Sequence, residues 1–282
     1  MHTERSVVIA GATGYLGRFL VEHYSRKGWH VKALVRSAER ARQKGIQAEL
    51  IEAQVTQPDS LKGRFQGANL VISCVGITRQ KDGLRYRDVD YQANMNLLHE
   101  ALAAKVPRFV YVHVLGADKM RGVDLIEAKQ AFVERLQAAQ IASTVIAPSG
   151  YFSDMNDFLD MARAGRVWLF GKGDLQLNPI HGADLADAVY SAAEQQLAWL
   201  DVGGPEVFSH SELAQLALKV AGKPERITRL PDVLRRFVLF LLPKVTPQKL
   251  YGPVQFFMTA MGHNMVGKPY GRRRLEDYFS QE

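Results

Sequence analysis

Short apolar runs rich in β-branched residues alternate along this chain with longer stretches whose apolar positions recur at helical spacing. Val7-Val8-Ile9-Ala10 is the first such run and reads as a buried strand. It enters a glycine-spaced turn, Gly11-Ala12-Thr13-Gly14-Tyr15-Leu16-Gly17, and helical spacing then continues to about residue 27. Further strands are predicted at 29–35, 47–51, 69–75, 108–114 and 142–147. Helices are predicted at 38–44, 89–104 and 124–139, with a brief helix start at 58–61. This regular alternation predicts an α/β fold, a doubly wound parallel sheet of the Rossmann type with helices on both faces. Beyond Pro148 the rhythm breaks into fragments near 154–163, 167–169 and 178–180. Helices are expected at 183–195 and at 209–220, the latter capped by Ser209, before an apolar, aromatic tail punctuated by Pro243, Pro247 and Pro253.

The glycines carry the first chemistry. Gly11 permits a tight turn, Gly14 lets backbone approach a ligand, and Gly17 removes a side chain where helix meets strand. With Thr13 inside the turn and the N–H groups of Tyr15 and Leu16 at the helix start, the stretch predicts a pyrophosphate site. Residues 1–150 therefore read as an NAD(P)-binding domain, and 151–282 as a C-terminal substrate lid packed on it within one globular unit. At the end of the second strand, where a carboxylate would bind the ribose hydroxyl of NAD, stands Arg36, with Ser37 and Arg40 nearby. A guanidinium grips phosphate in bidentate fashion, so NADP(H) is the expected cofactor.

Composition narrows the classes further. The 282 residues are 47% hydrophobic and 23% charged, enough to bury a sizeable core. The net charge of +7 suits an anionic ligand or surface, but the basic residues form no tract, and a nucleic-acid partner is not expected. Cys74 is the single cysteine, which excludes an intrachain disulfide and suits a reducing compartment. No leader pattern precedes the first strand, and no apolar run reaches the ~18 residues needed to cross a bilayer, so a cytoplasmic protein is expected. The eight histidines show no ligand spacing, so no metal is expected. Neither an ATP-binding P-loop nor a nucleophile elbow occurs.

Gly11-Ala12-Thr13-Gly14-Tyr15-Leu16-Gly17 followed by Ala33-Leu34-Val35-Arg36 resembles the atypical short-chain dehydrogenase/reductases, specifically their NmrA-like branch. The resemblance extends over Tyr111-Val112-His113-Val114-Leu115-Gly116-Ala117 and Pro148-Ser149-Gly150-Tyr151-Phe152. It also takes in Asn178-Pro179-Ile180-His181-Gly182-Ala183-Asp184, which is similar to the segment that closes the site in that family. It implies that Gly11, Gly14, Gly17 and Arg36 hold the cofactor, and that Cys74, Val75 and Gly76 lie along adenosine and ribose. Gln54-Val55 stands where relatives carry an Asp-hydrophobe pair at the adenine. Pro148 and Tyr151 follow the sixth strand on the nicotinamide side. Ordinary members reduce carbonyls with a Tyr-x-x-x-Lys pair, whose spacing places both side chains on one helix face. Here Lys129 survives but Leu125 occupies the tyrosine position, and His113 stands near the place of the family's serine.

Two readings follow. In one the chain is an NADP(H)-dependent oxidoreductase acting on a hydrophobic small molecule, with Lys129 or His113 supplying the proton. In the other it is a non-catalytic NADP(H)-binding redox sensor or assembly protein. Oligomeric state is not legible. The stretch 235–244, basic at its ends and apolar between, reads with Phe256-Phe257-Met258 as core, subunit interface or pocket roof, or else as a peripheral contact with an anionic membrane.

Overall fold

The computed structural model describes residues 5–77 and 83–282. The chain runs β1 (Ser6–Ala10), α1 (Tyr15–Arg26), β2 (His30–Val35), α2 (Ala38–Gln43), β3 (Glu49–Glu52) and β4 (Leu70–Ser73). A π-helical turn, Arg87–Ala93, leads into α3 (Asn94–Ala103), followed by β5 (Arg108–Val112), α4 (Asp124–Gln137) and β6 (Ala142–Pro148). Then come α5 (Asn156–Arg163), β7 (Val167–Phe170), β8 (Gln176–Leu177), α6 (Gly182–Glu194), β9 (Trp199–Gly203) and β10 (Phe208–Ser209). The last elements are α7 (His210–Val220), β11 (Ile227–Leu230), α8 (Asp232–Val245), α9 (Gln248–Ala260), β12 (Lys268–Pro269) and α10 (Leu275–Phe279).

The central sheet has eight strands in the order β12-β9-β6-β5-β4-β1-β2-β3, and its ladders are parallel. The expected α/β architecture is thus present, with a Rossmann-like strand order. The chain winds from β1 through β2 to β3, then crosses back to β4 on the other side of β1. That reversal makes the carboxyl ends of β1 and β4 the place where such sheets bind ligands. At the centre of the sheet, β1 is buried on both faces and reads as a continuous apolar run: Val7, Val8, Ile9 and Ala10 are all fully buried. One core cluster joins Val8, Val71, Phe109 and Val145 of the sheet to Leu97 of α3 and Phe132 of α4.

By internal contacts the chain divides into two units. The first comprises Met1–His113, Asp124–Ala147 and Leu185–Leu200; the second comprises Val114–Val123, Pro148–Asp184 and Asp201–Glu282. Asn178 organises the second unit. Its buried side chain donates to the carbonyls of Gly204 and Gly267 and accepts from the Gly267 N–H, while its own carbonyl accepts from the Ser149 hydroxyl. The segment expected to close the site is therefore anchored by an internal amide hub. In the tail, Pro247 caps α9, but Pro243 and Pro253 lie inside α8 and α9 rather than ending them. Each proline removes one backbone donor from the ladder of its helix.

Candidate functional site

The turn after β1 is built by close approach. Gly11 has φ +87°, and its carbonyl accepts the Gly14 N–H at 3.0 Å. A Cβ added to Gly17 would lie 2.1 Å from that same carbonyl oxygen and 2.8 Å from Ala12 Cα, so α1 seats against the turn only with glycine there. A Cβ on Gly11 would meet Cys74 Sγ at 2.9 Å, which shows how tightly the ends of β1 and β4 are joined. Gly14 is the N-cap of α1, exposed and extended; no side chain caps this helix and no acidic residue stands in its first turn. Leu16 faces the core, which leaves its backbone as the part able to serve a ligand, and Thr13 is half-buried beside it. The positive end of the helix dipole and a side-chain-free approach together fit a pyrophosphate.

At the end of β2, Arg36 is exposed. The Ser37 side chain caps α2 by accepting from the Arg40 N–H at 3.3 Å. Glu52, unremarked in the sequence, accepts the Ala38 N–H at 2.6 Å and brings one carboxylate to the same helix start. After β3 the backbone of Gln54 and Val55 is clamped. Ser60 accepts from the Gln54 N–H and donates to its carbonyl, and Asn96 donates to the Val55 carbonyl at 2.9 Å. The Gln54 side chain is exposed and Val55 is half-buried, an open shelf suited to an aromatic base.

Beyond β4, the Cys74 thiol donates to the Ala10 carbonyl at 3.2 Å, and burial pushes its pKa up to about 12, so it is an inert spacer. Val75 is buried, and its carbonyl accepts from Asn94. Asn94 also donates to the Val89 and Asp90 carbonyls and accepts from the Ser73 hydroxyl. That amide locks the end of β4 to the π-helical turn. π-Helical insertions of this kind recur at functional sites.

The turn delivers a group that sequence reasoning missed. Asp90 is fully buried, and its Oδ1 lies 3.3 Å from the Nζ of Lys129 on α4. Its other oxygen accepts the Ile77 N–H at 3.3 Å. Lys129 is 9% exposed; it donates to the Val112 carbonyl at 3.3 Å and to the Tyr111 hydroxyl at 3.5 Å. A Cβ on Gly76 would stand 2.6 Å from Asp90 Oδ1 and 3.1 Å from Lys129 Nζ, so the loop after β4 passes directly over this ion pair. Burial pushes Asp90 up to about 6 against the pull of the ammonium, and pushes Tyr111 up to about 12. Burial alone would lower Lys129, but Tyr111 and Asp90 outweigh it and hold it above the ordinary lysine value. The ammonium stays charged.

His113 is placed differently. It is 2% exposed, its Nε2 lies 3.2 Å from Gln130 Oε1, and its ring packs edge-on to Trp199. Burial, reinforced by the Lys129 charge, pushes it down to about 3, so the imidazole is neutral near neutral pH and holds no acidic proton there. Leu125 is buried at the tyrosine position of α4. The structure thus brings Gly76 and Lys129 together with Asp90 and Tyr111, and Gly11 together with Cys74. Pro148 and Tyr151 belong to the second unit. There the Pro148 carbonyl accepts from the Leu115 N–H, and the Tyr151 N–H donates to Asp154 at 2.9 Å.

The chain is similar to several known proteins. The photosystem II assembly factor Ycf39 of Guillardia theta is 26% identical over 242 residues, covering 84% of this chain and 76% of the relative. Subunit 9 of the NADH dehydrogenase [ubiquinone] 1 alpha subcomplex of Arabidopsis thaliana is 26% identical, with 79% of this chain and 60% of the relative covered. The divinyl chlorophyllide a 8-vinyl-reductase of the same plant is 22% identical, with 98% and 76% covered. Among solved structures, the NADPH-dependent quinone oxidoreductase QOR2 of Escherichia coli, complexed with NADPH, superposes with a TM-score of 0.74. It is 19% identical, and 98% of this chain and 99% of that one are covered. A nucleoside-diphosphate-sugar epimerase of Staphylococcus aureus gives a TM-score of 0.73 at 14% identity, with 98% and 99% covered. These likenesses show the shared fold of the NAD(P)-binding reductases and epimerases. With the family's model matching residues 11–196, the chain belongs to the NAD(P)H-binding family.

Proposed function

We propose that this protein is an NADP(H)-dependent oxidoreductase of the atypical, NmrA-like type that reduces a hydrophobic small molecule. The observation that carries the proposal is the buried, charged Lys129, held by Asp90, Tyr111 and the Val112 carbonyl beneath the loop at Gly76. A nicotinamide cofactor supplies the hydride when bound. In this reading the α1 N-terminus and Gly11, Gly14 and Gly17 hold its diphosphate, and Gln54, Val55, Cys74, Val75 and Gly76 line its adenosine and ribose.

Arg36, with Arg40, selects the 2′-phosphate against the carboxylates of Glu39 and Glu52 at the same helix start. Lys129 anchors the nicotinamide ribose and offers a fixed positive charge to an oxygen that becomes anionic as hydride arrives. Its pKa, raised rather than depressed, makes Lys129 a weak acid. The chemistry best matched to it reduces an acceptor that tolerates an anionic product before protonation, such as a quinone or an activated double bond. The E. coli quinone oxidoreductase and the plant vinyl reductase named above support that class. Asp90 is a positioning residue that fixes the ammonium. The inert Cys74 thiol suits a reducing compartment such as the cytoplasm.

A second reading is supported by the names of two relatives, an assembly factor and a complex subunit, together with Leu125 at the tyrosine position. In it the same site binds NADP(H) without turnover and reports redox state.

Three outcomes are expected. In fluorescence titrations the protein binds NADPH more tightly than NADH, and Arg36→Ala weakens NADPH about 10- to 100-fold while leaving NADH nearly unchanged. Equal affinity of the wild type for both cofactors contradicts the Arg36 assignment. In a turnover screen over quinones, enones and aldehydes, Lys129→Met lowers kcat/KM at least about a hundredfold. Tight NADPH binding with no oxidation anywhere in the screen gives the site to the second reading, and a Lys129→Met effect confined to cofactor affinity makes Lys129 a ribose ligand only. The third outcome concerns Asp90. Its carboxyl titrates at about 6 in the fold and at 3.8 in the unfolded chain, so its contribution is fully present below 3.8 and lost as pH rises through about 6. The stability of the wild type relative to Asp90→Asn should therefore fall across that window and stay flat above it; parallel Tm–pH curves would show that Asp90 titrates normally.

A further inference from the structure

The outer face of α8 is apolar and uncovered. Arg235 is buried on the inner side, where its guanidinium meets Asp232 at 2.6 Å and the Met258 carbonyl of α9 at 2.8 Å, which fixes the two helices as a pair. On the opposite side, Val233, Phe237 and Phe240 recur at one helical face and are 75%, 56% and 63% exposed. Val245 at the end of α8 and Leu250 at the start of α9 extend the patch at 64% and 60%. A contiguous apolar surface of this kind marks an interaction site.

Charge identifies what it meets. From Val233 to Leu275 the sequence contains no Asp or Glu and eight Lys or Arg. Arg236, its side chain 75% exposed, borders the apolar face and is paired with Asp232 at 2.7 Å, while Lys244 and Lys249 stand at the hairpin end with no carboxylate in this run to oppose them. The Lys244 Nζ lies 3.4 Å from the Phe240 ring centroid, so its stem lies along the apolar face while its charge caps it. No helix among the described residues is long and apolar enough to cross a membrane. Aromatic and aliphatic side chains on one face, rimmed by cations, are what an interfacial helix presents to lipid. A second copy of this chain fits poorly. A two-fold contact through this face would set Lys244 and Lys249 of both copies together, and the one carboxylate of α8, Asp232, is already taken by Arg235 and Arg236.

We propose that α8 and the start of α9 dock in the plane of an anionic lipid bilayer, with Phe237 and Phe240 entering the acyl boundary and Arg236, Lys244 and Lys249 meeting the head groups. The test is flotation of the full chain with vesicles of phosphatidylcholine alone and of phosphatidylcholine mixed with phosphatidylglycerol, beside sedimentation equilibrium without lipid. The protein should float with the mixed vesicles and not with the neutral ones, and added salt should release it. Lys244→Gln and Lys249→Gln should each lower the partition coefficient about fivefold. Phe237→Asp with Phe240→Asp should abolish flotation while the circular dichroism spectrum and Tm are kept; should that pair misfold, the two lysine variants still decide the matter. Failure to float with either vesicle overturns the proposal, as does equal flotation with both. A dimer that the phenylalanine variant dissociates, in a protein that does not float, would give the face to a second copy instead.

Discussion

The contact between α1 and the turn that follows β1 constrains everything built around it. The Gly11 carbonyl oxygen occupies space that any side chain at position 17 would need, so the helix can approach the strand end only with bare backbone. That approach aims the amino end of α1 at the carboxyl edge of the sheet, where the reversal between β1 and β4 leaves a crevice. The same closeness presses Cys74 against Gly11 and carries the loop after β4 on to Gly76. A local steric requirement in seven residues thereby fixes the helix end that we propose receives a diphosphate and the loop that runs beside it.

The second organising feature is electrostatic. Taking a carboxylate and an ammonium out of water together is costly, and it is tolerated where the remaining donors and acceptors are met. Lys129 is met by Asp90, Tyr111 and the Val112 carbonyl; Asp90 Oδ2 accepts from the Ile77 N–H, while its buried Oδ1 has the ammonium at 3.3 Å and, among the described residues, no hydrogen bond. Because Asp90 sits in a π-helical turn held by Asn94, the ammonium is positioned by the same hub that fixes the end of β4. With Leu125 where the resembled family carries a tyrosine, the cluster holds a fixed cation rather than an acid pair, and the proposed chemistry is narrowed accordingly.

Much of this was legible in the sequence. The central strands β1 and β4 are buried along their whole length and so read as unbroken apolar runs, and the glycine spacing located the turn. Other features were hidden because nearby residues do not encode them. Asp90 follows Asp88 in what reads as a solvated helix start, and only the fold carries it under Lys129. His113 has the chemistry of a proton donor, but its place after β5 turns the ring inward and keeps it neutral. The two-residue β12 pairs with β9 from a segment far away in the chain. The apolar centre of α8 read most simply as core, because periodicity defines a face without saying what covers it.

The central claim, that the bare amino end of α1 receives a cofactor diphosphate, is tested most directly by Gly14→Asp. Gly14 has φ −77°, which any residue adopts; an added Cβ would stand 3.2 Å from the Gly11 carbonyl oxygen, a small crowding that the favoured aspartate N-cap offsets, so the substitution should keep the fold with Tm close to wild type. The same carboxylate would stand where the diphosphate binds. Calorimetric titration should show NADPH binding to the wild type and a loss of at least about tenfold in a fully folded Gly14→Asp. Equal NADPH affinity in the two proteins would contradict the account.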